Sequence, residues 1–125
     1  MQNTPYEMLG GESAIRTLTE RFYDFMDRSA EVTEIRRMHA IDLAPMKEKL
    51  FFYLSEWLGG PRLYSAKTGS MCLTDAHEPY AIGEKERDQW LVCMRHALAE
   101  IEATPDVAEL LEEPFFAIAD FTRTQ

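Results

Sequence analysis

The chain has 125 residues, enough for one domain with a single buried core, and we expect residues 1–125 to form that domain. Apolar residues make up 46% of it and charged residues 28%, a balance that is typical of folded globular proteins and unlike a disordered composition. The net charge of −9 repels nucleic acid phosphates and anionic membrane surfaces, so neither is expected as a partner.

The first third of the chain predicts one long helix between two short ones. Residues 4–9 can form only a short turn of helix, which the glycines at 10 and 11 end because glycine tolerates positive φ. Ser13 is the candidate N-cap of a long helix, since apolar residues recur after it at helical spacing up to about residue 29. A second short helix is predicted over 33–38.

The rest of the chain predicts three more long helices. The first runs from about residue 42 to the motif Gly59-Gly60-Pro61, and the others cover about 84–103 and 105–122. Pro114 should kink or interrupt the last helix, because proline removes a helix hydrogen bond. No segment shows two-residue alternation, so the predicted fold is all-α, with four principal helices packed in two antiparallel pairs.

Residues 60–83 break this regular pattern. The stretch has no sustained period and contains His77. Long irregular segments are uncommon in compact domains and usually functional, because their backbone groups need hydrogen-bond partners. A large prosthetic group beneath the loop would explain its order. A lone loop histidine more often has no ligand role, so the residues alone make His77 only a candidate ligand.

Two glycine motifs, Gly10-Gly11 and Gly59-Gly60-Pro61, precede His77, and Trp90 lies near the start of the helix that follows it. Together these features resemble the truncated haemoglobins of group II. The resemblance covers about residues 6–121 and implies a two-over-two α-helical sandwich around haem b. It implies dioxygen, carbon monoxide and nitric oxide as ligands. It also implies that His77 is the proximal ligand of the haem iron, with its Nδ1 proton given to a backbone carbonyl.

The resemblance further implies a polar distal site. It places Tyr23 above the iron and aims the indole N–H of Trp90 at the bound gas. His39 stands where many relatives carry tyrosine or phenylalanine, and it is a second distal donor, a group that helps a sixth ligand reach iron, or a solvent-facing side chain. Met46 and Leu50 belong to the distal wall. Without the resemblance, Tyr23 and Trp90 would suit an ordinary core or surface position.

The remaining predicted contacts are with the cofactor. Lys49 matches a basic position that pairs with a haem propionate in relatives, although an exposed lysine is the common alternative, and Tyr64 is a candidate for the same bond. The other residues expected at the haem lie on one face of the second long helix or close to His77, and they are Tyr53, Leu54, Leu73, Tyr80 and Ile82.

Three classes of function remain open from the sequence. The first is a haem protein that reversibly binds dioxygen and other diatomic gases. The second is a haem redox enzyme acting on nitric oxide or peroxide, with an electron-donating reductase as partner. The third is a haem-free helical module in which His77 is incidental. The chain has no other cofactor motif, and Cys72 and Cys93 are wrongly spaced for zinc.

The expected location is cytoplasmic. No apolar run approaches the roughly 18 residues needed to span a bilayer, and the polar N-terminal residues lack the basic and apolar regions of a secretory signal. We accordingly expect free thiols.

Overall fold

The chain folds into α-helices joined by turns. The computed structural model describes residues 4–69 and 80–124, and neither range contains a β-strand. The helices are α1 (Pro5–Leu9), α2 (Glu12–Arg28), α3 (Thr33–Arg37), α4 (Ala44–Trp57), α5 (Ser65–Thr68), α6 (Glu84–Glu100) and α7 (Pro105–Phe121). A 3-10 turn, Ala30–Val32, leads into α3. Within these ranges no helix is long and apolar enough to cross a membrane. The predicted all-α fold is confirmed.

The predicted helices are present, but three details differ. The N-cap of α2 is Gly11, whose φ of 76° turns the chain directly into the helix, so the prediction of Ser13 as the cap is wrong. α6 ends at Glu100, earlier than predicted, because Glu102 adopts a left-handed φ of 59°. α7 continues through Pro114, so the expected interruption does not occur. Leu111 and Phe115, buried on either side of the proline, hold this helix against the core.

α2 forms the centre of the core. Ile15, Leu18, Phe22 and Met26 recur at the three- and four-residue spacing of one helix face, and each is at most 1% exposed. Full burial of a side chain of this size contributes about 1.5–3 kcal/mol. α2 packs against both α4 and α6, and α6 packs against α7. These contacts build a two-over-two arrangement in which α2 joins the two helix pairs.

The short helix α1 closes the end of α4. The Tyr6 N–H donates to the Leu58 carbonyl oxygen at 2.9 Å, which fixes α1 beside the last turn of α4. Gly60 lies directly against the Tyr6 ring. A Cβ atom at this position would lie 2.6 Å from ring Cδ2 and 2.8 Å from the Ser55 carbonyl oxygen. The site has no room for a side chain, which explains the second glycine of the Gly59-Gly60 motif.

We expect Gly60→Ala to lower the free energy of unfolding by about 1–3 kcal/mol, because the added methyl group overpacks the Tyr6 contact. Chemical unfolding monitored by circular dichroism measures the change. Gly83→Ala is the control, since the nearest atom to its Cβ would be the Glu86 Oε1 at an ordinary 3.4 Å. Equal unfolding midpoints for the two variants would contradict the steric explanation.

Candidate functional site

Tyr23 lies on the buried side of α2, next to Phe22. Its side chain is 3% exposed, and its ring packs edge-on against Phe22 at a centroid distance of 4.9 Å. Burial raises the pKa of the phenol well above its ordinary value, and Cys93 on α6 adds to the rise. The hydroxyl is therefore a protonated donor at neutral pH. No residue within 4–69 or 80–124 accepts a hydrogen bond from it.

His39 lies beside Tyr23, in the turn that follows α3. The two ring centroids are 5.8 Å apart and the rings are nearly perpendicular. His39 Nδ1 lies 2.8 Å from the Ile35 carbonyl oxygen. A carbonyl oxygen can only accept, so Nδ1 carries the proton in this bond. The side chain is half-buried, and it contacts the tyrosine that the sequence places in the same site.

Trp90 approaches the same place from α6. Its ring centroid lies 5.4 Å from that of Phe22 on α2 and 5.8 Å from that of Phe115 on α7. Phe115 in turn stacks on Trp57 of α4 at 5.0 Å. Trp90 is only half-buried, and its indole N–H has no acceptor among the residues that the structure describes. Phe22 thus contacts both Tyr23 and Trp90, and Tyr23 in turn contacts His39.

The predicted wall residues lie along α4. Met46 and Leu50 are half-buried and pack against the core, whereas Tyr53 and Leu54 are 8% and 1% exposed. The Tyr53 ring packs edge-on against Tyr64 at a centroid distance of 5.2 Å. Burial, followed by smaller effects of Tyr64 and Glu56, raises the pKa of Tyr53 to about 12. This face therefore presents apolar surface and an uncharged phenol.

Lys49 is exposed on the flank of α4. It forms no ion pair with any residue in the described part of the chain. Its neighbour Lys47, in contrast, pairs with Asp24 of α2 at 3.7 Å. The Lys49 ammonium group is thus available to an external anion.

The segment before α6 is tied to the C-terminal end of the chain. The Thr124 hydroxyl donates to the Tyr80 carbonyl oxygen at 2.6 Å and accepts from the Ile82 N–H at 2.9 Å. Ile82 is 7% exposed, whereas Tyr80 is 47% exposed. The predicted proximal ligand His77 and its neighbour Leu73 lie outside the described residues, so their roles stay predictions.

Comparison with known proteins gives the family. The family model of the bacterial-like globins matches residues 4–121. The group 2 truncated hemoglobin YjbI of Bacillus subtilis (strain 168) is 31% identical over 109 residues, which are 87% of this chain and 80% of that protein. This chain belongs to the group II truncated haemoglobins. Membership in this globin family implies that it binds haem and a diatomic gas at the haem iron.

Two solved structures share the fold of this truncated haemoglobin over nearly its whole length. One is the cold-adapted truncated hemoglobin of the Antarctic marine bacterium Pseudoalteromonas haloplanktis TAC125, with a TM-score of 0.94, 36% identity and coverage of 98% of this chain and 99% of that one. The other is the group II 2-on-2 hemoglobin of Agrobacterium tumefaciens, with a TM-score of 0.94, 36% identity and coverage of 99% and 96%. The predicted two-over-two fold is confirmed.

The described residues of this truncated haemoglobin fit a flat, largely apolar group. Several large side chains pack against the core and yet stay partly uncovered, among them Met46, Leu50, Tyr64 and Trp90. Such apolar walls with a few convergent polar groups are typical of cofactor sites. The side chains of Tyr23 and Trp90, which carry donors, both contact Phe22.

One buried polar residue, Gln89, was not predicted from the sequence to take part in the site. It is 8% exposed and shares the buried stripe of α6 with Cys93 and Ala97, one helical turn apart each. Its side chain bonds to α3, the helix that precedes His39. A glutamine on an otherwise apolar stripe is the signal that could have revealed it, because buried amides need hydrogen-bond partners.

We expect the stability of the protein to fall as pH rises from 10 to 12, and to fall less in Tyr53→Phe. In the unfolded chain Tyr53 ionises near its ordinary value of 10, whereas burial raises its pKa to about 12 in the fold. The unfolded state therefore loses the proton first and is favoured in this window. Urea unfolding at pH 8 and pH 11 measures the difference, with Tyr6→Phe as control. Identical losses in the wild type and Tyr53→Phe would contradict it.

Proposed function

We propose that this globin holds haem b and binds dioxygen reversibly, with Tyr23 and Trp90 as the distal donors. The observation that carries the proposal is that both donors adjoin Phe22 and have no acceptor among the described residues. A polar ligand that accepts from these donors would gain hydrogen bonds worth about 0.5–1.5 kcal/mol each, so donors without a protein partner favour such a ligand. Haem supplies an iron that transfers partial negative charge to dioxygen, which makes that gas such a ligand.

The other site residues have proposed roles that follow from their chemistry. His77 would hold the iron through its imidazole. Lys49, which is exposed and without an ion pair in the described part of the chain, would bind a haem propionate. The remaining proposed contacts with the haem and the gas are apolar or aromatic, and they come from Met46, Leu50, Tyr53, Leu54, Tyr64, Leu73, Tyr80 and Ile82.

We expect the purified protein to show a Soret band that shifts when the reduced form takes up carbon monoxide. His77→Ala should lose haem and melt at a lower temperature, because a ligand that binds only the folded state stabilises it. Absorption spectra of the oxidised, reduced and carbon monoxide forms, with a thermal melt of each variant, test this. His96→Ala is the control, since His96 is an exposed side chain stacked on Phe25. A haem-free protein after addition of hemin would refute the proposal.

We expect Trp90→Phe and Tyr23→Phe each to raise the dioxygen dissociation rate about tenfold or more, because a hydrogen bond to a charged group is worth about 1.5–3 kcal/mol. Stopped-flow displacement of dioxygen by carbon monoxide measures the rate. Matched controls are Trp57→Phe, which removes an indole on the far side of Phe115, and Tyr6→Phe, which removes a phenol at α1. Unchanged rates in both distal variants would show that the donors do not touch the gas.

A redox function is the second candidate, favoured by the number of polar groups around Tyr23. A ligand held by several donors leaves slowly, and slow release suits chemistry better than delivery. In that case Tyr23 and Trp90 would hold dioxygen for the oxidation of nitric oxide to nitrate, haem would supply the one electron that this reaction takes, and an electron donor such as a cytoplasmic reductase would return it. Mixing the dioxygen form with nitric oxide and recording nitrate and the ferric spectrum distinguishes this function from simple gas binding.

A further inference from the structure

The turn that carries His39 is held in place from another helix. α3 has Val32 as its N-cap, and Val32 has no side-chain group that can cap a helix. The first N–H groups of any helix lack partners within that helix. In α3 the buried Ile35 N–H finds its acceptor on α6, where Gln89 Oε1 lies 3.0 Å away. Gln89 therefore caps α3 from outside.

The orientation of the Gln89 amide is fixed by chemistry on both sides. Ile35 N–H can only donate, so it must face Oε1, and a carboxylate can only accept, so it must face Nε2. Nε2 donates to Glu34 Oε2 at 2.6 Å. The other Glu34 oxygen pairs with Lys85 at 2.8 Å. Hydrogen bonds from Lys85 and then Gln89 lower the pKa of Glu34 to about 2, so it stays an acceptor at neutral pH.

The same peptide segment fixes His39. The Ile35 carbonyl oxygen accepts from the Met38 N–H at 3.2 Å and from His39 Nδ1 at 2.8 Å. On the other side of His39, Arg36 donates to the carbonyl oxygens of Ala40 and Ile41 at 3.0 Å each. The His39 ring is thus hydrogen-bonded to the Ile35 carbonyl oxygen, and the Ile35 N–H is hydrogen-bonded to Gln89.

We propose that Gln89 is a positioning residue of the distal site, which sets the tautomer and the orientation of His39 beside Tyr23. With the proton on Nδ1, the Nε2 atom of neutral His39 is an acceptor. Neutral His39 therefore does not donate to dioxygen through Nε2, and donation to the gas is left to Tyr23 and Trp90. The consequence for gas binding rests on the proposed function. The His39 tautomer does not, because it can be measured with or without haem.

The test is nitrogen-15 NMR of the imidazole groups in the reduced, carbon monoxide-bound protein, with the His39 signals assigned from His39→Asn. We expect wild-type His39 to be protonated at Nδ1 alone. Gln89→Leu should give a mixture of tautomers and more than one carbon–oxygen stretching band in the infrared spectrum. Gln89→Glu keeps an acceptor for the Ile35 N–H but loses the donor to Glu34, so it is combined with Glu34→Gln, which supplies that donor. We expect this double variant to retain the wild-type tautomer.

The control is Lys85→Gln, which removes the ion pair with Glu34 but leaves the bond between Gln89 and Ile35. We expect it to keep the wild-type tautomer and a single stretching band. If Gln89→Leu does not fold, Gln89→Asn replaces it, because an amide one methylene shorter does not reach the Ile35 N–H. A Gln89→Leu or Gln89→Asn protein that folds and keeps His39 protonated only at Nδ1 would overturn the inference.

The outcomes separate this inference from the proposed function. Loss of the Soret band in the wild type would refute haem binding, and the His39 tautomer would then be read in the haem-free protein. A normal Soret band with an unchanged tautomer in Gln89→Leu, or in Gln89→Asn where that replaces it, would overturn the inference alone. A change in stability without a change in tautomer or stretching band would show a purely structural role for Gln89, which also contradicts the proposal.

Discussion

The contact between Phe22 of α2 and Trp90 of α6 is the constraint on which the rest of this site depends. Phe22 is fully buried, so its position is set by the whole core and not by local preferences. The Trp90 ring packs against Phe22 at a centroid distance of 5.4 Å. Tyr23 follows Phe22 in the sequence, and its ring also contacts the Phe22 ring. Because packed interiors allow little displacement, this one contact fixes the relative position of two donors that lie on different helices.

Two side chains with hydrogen-bond donors contact Phe22. Tyr23 is buried, and neither its hydroxyl nor the indole N–H of Trp90 has an acceptor in the described part of the chain. Phenylalanine in place of Tyr23 would remove the unpaired hydroxyl and keep the packing of the ring. Donors without a protein partner beside a partly uncovered apolar lining are typical of a ligand site.

The sequence predicted the long helices well, because burial on one face repeats every three to four residues. The predicted helix ends were wrong at Gly11 and Glu102, because the positive φ of these residues sets where the helices begin and end. The spacing of apolar residues carries no information about φ. The resemblance named Tyr23 and Trp90, because each lies at a fixed place in a recognisable motif. Gln89 was missed because its partner is 54 positions away, and only the packing of α3 on α6 brings the two together.

Two different kinds of interaction position the polar groups of this site. Tyr23 and Trp90 lie on long helices, so packing of those helices holds them, and a rigid backbone needs no further support. His39 lies in a turn between α3 and α4, where packing gives little control over a ring. Hydrogen bonds hold the backbone of this turn instead, one between Gln89 of α6 and the Ile35 N–H and one between Arg36 and the Ala40 carbonyl oxygen. The histidine is therefore the member of the site whose geometry depends most on residues that never reach the gas.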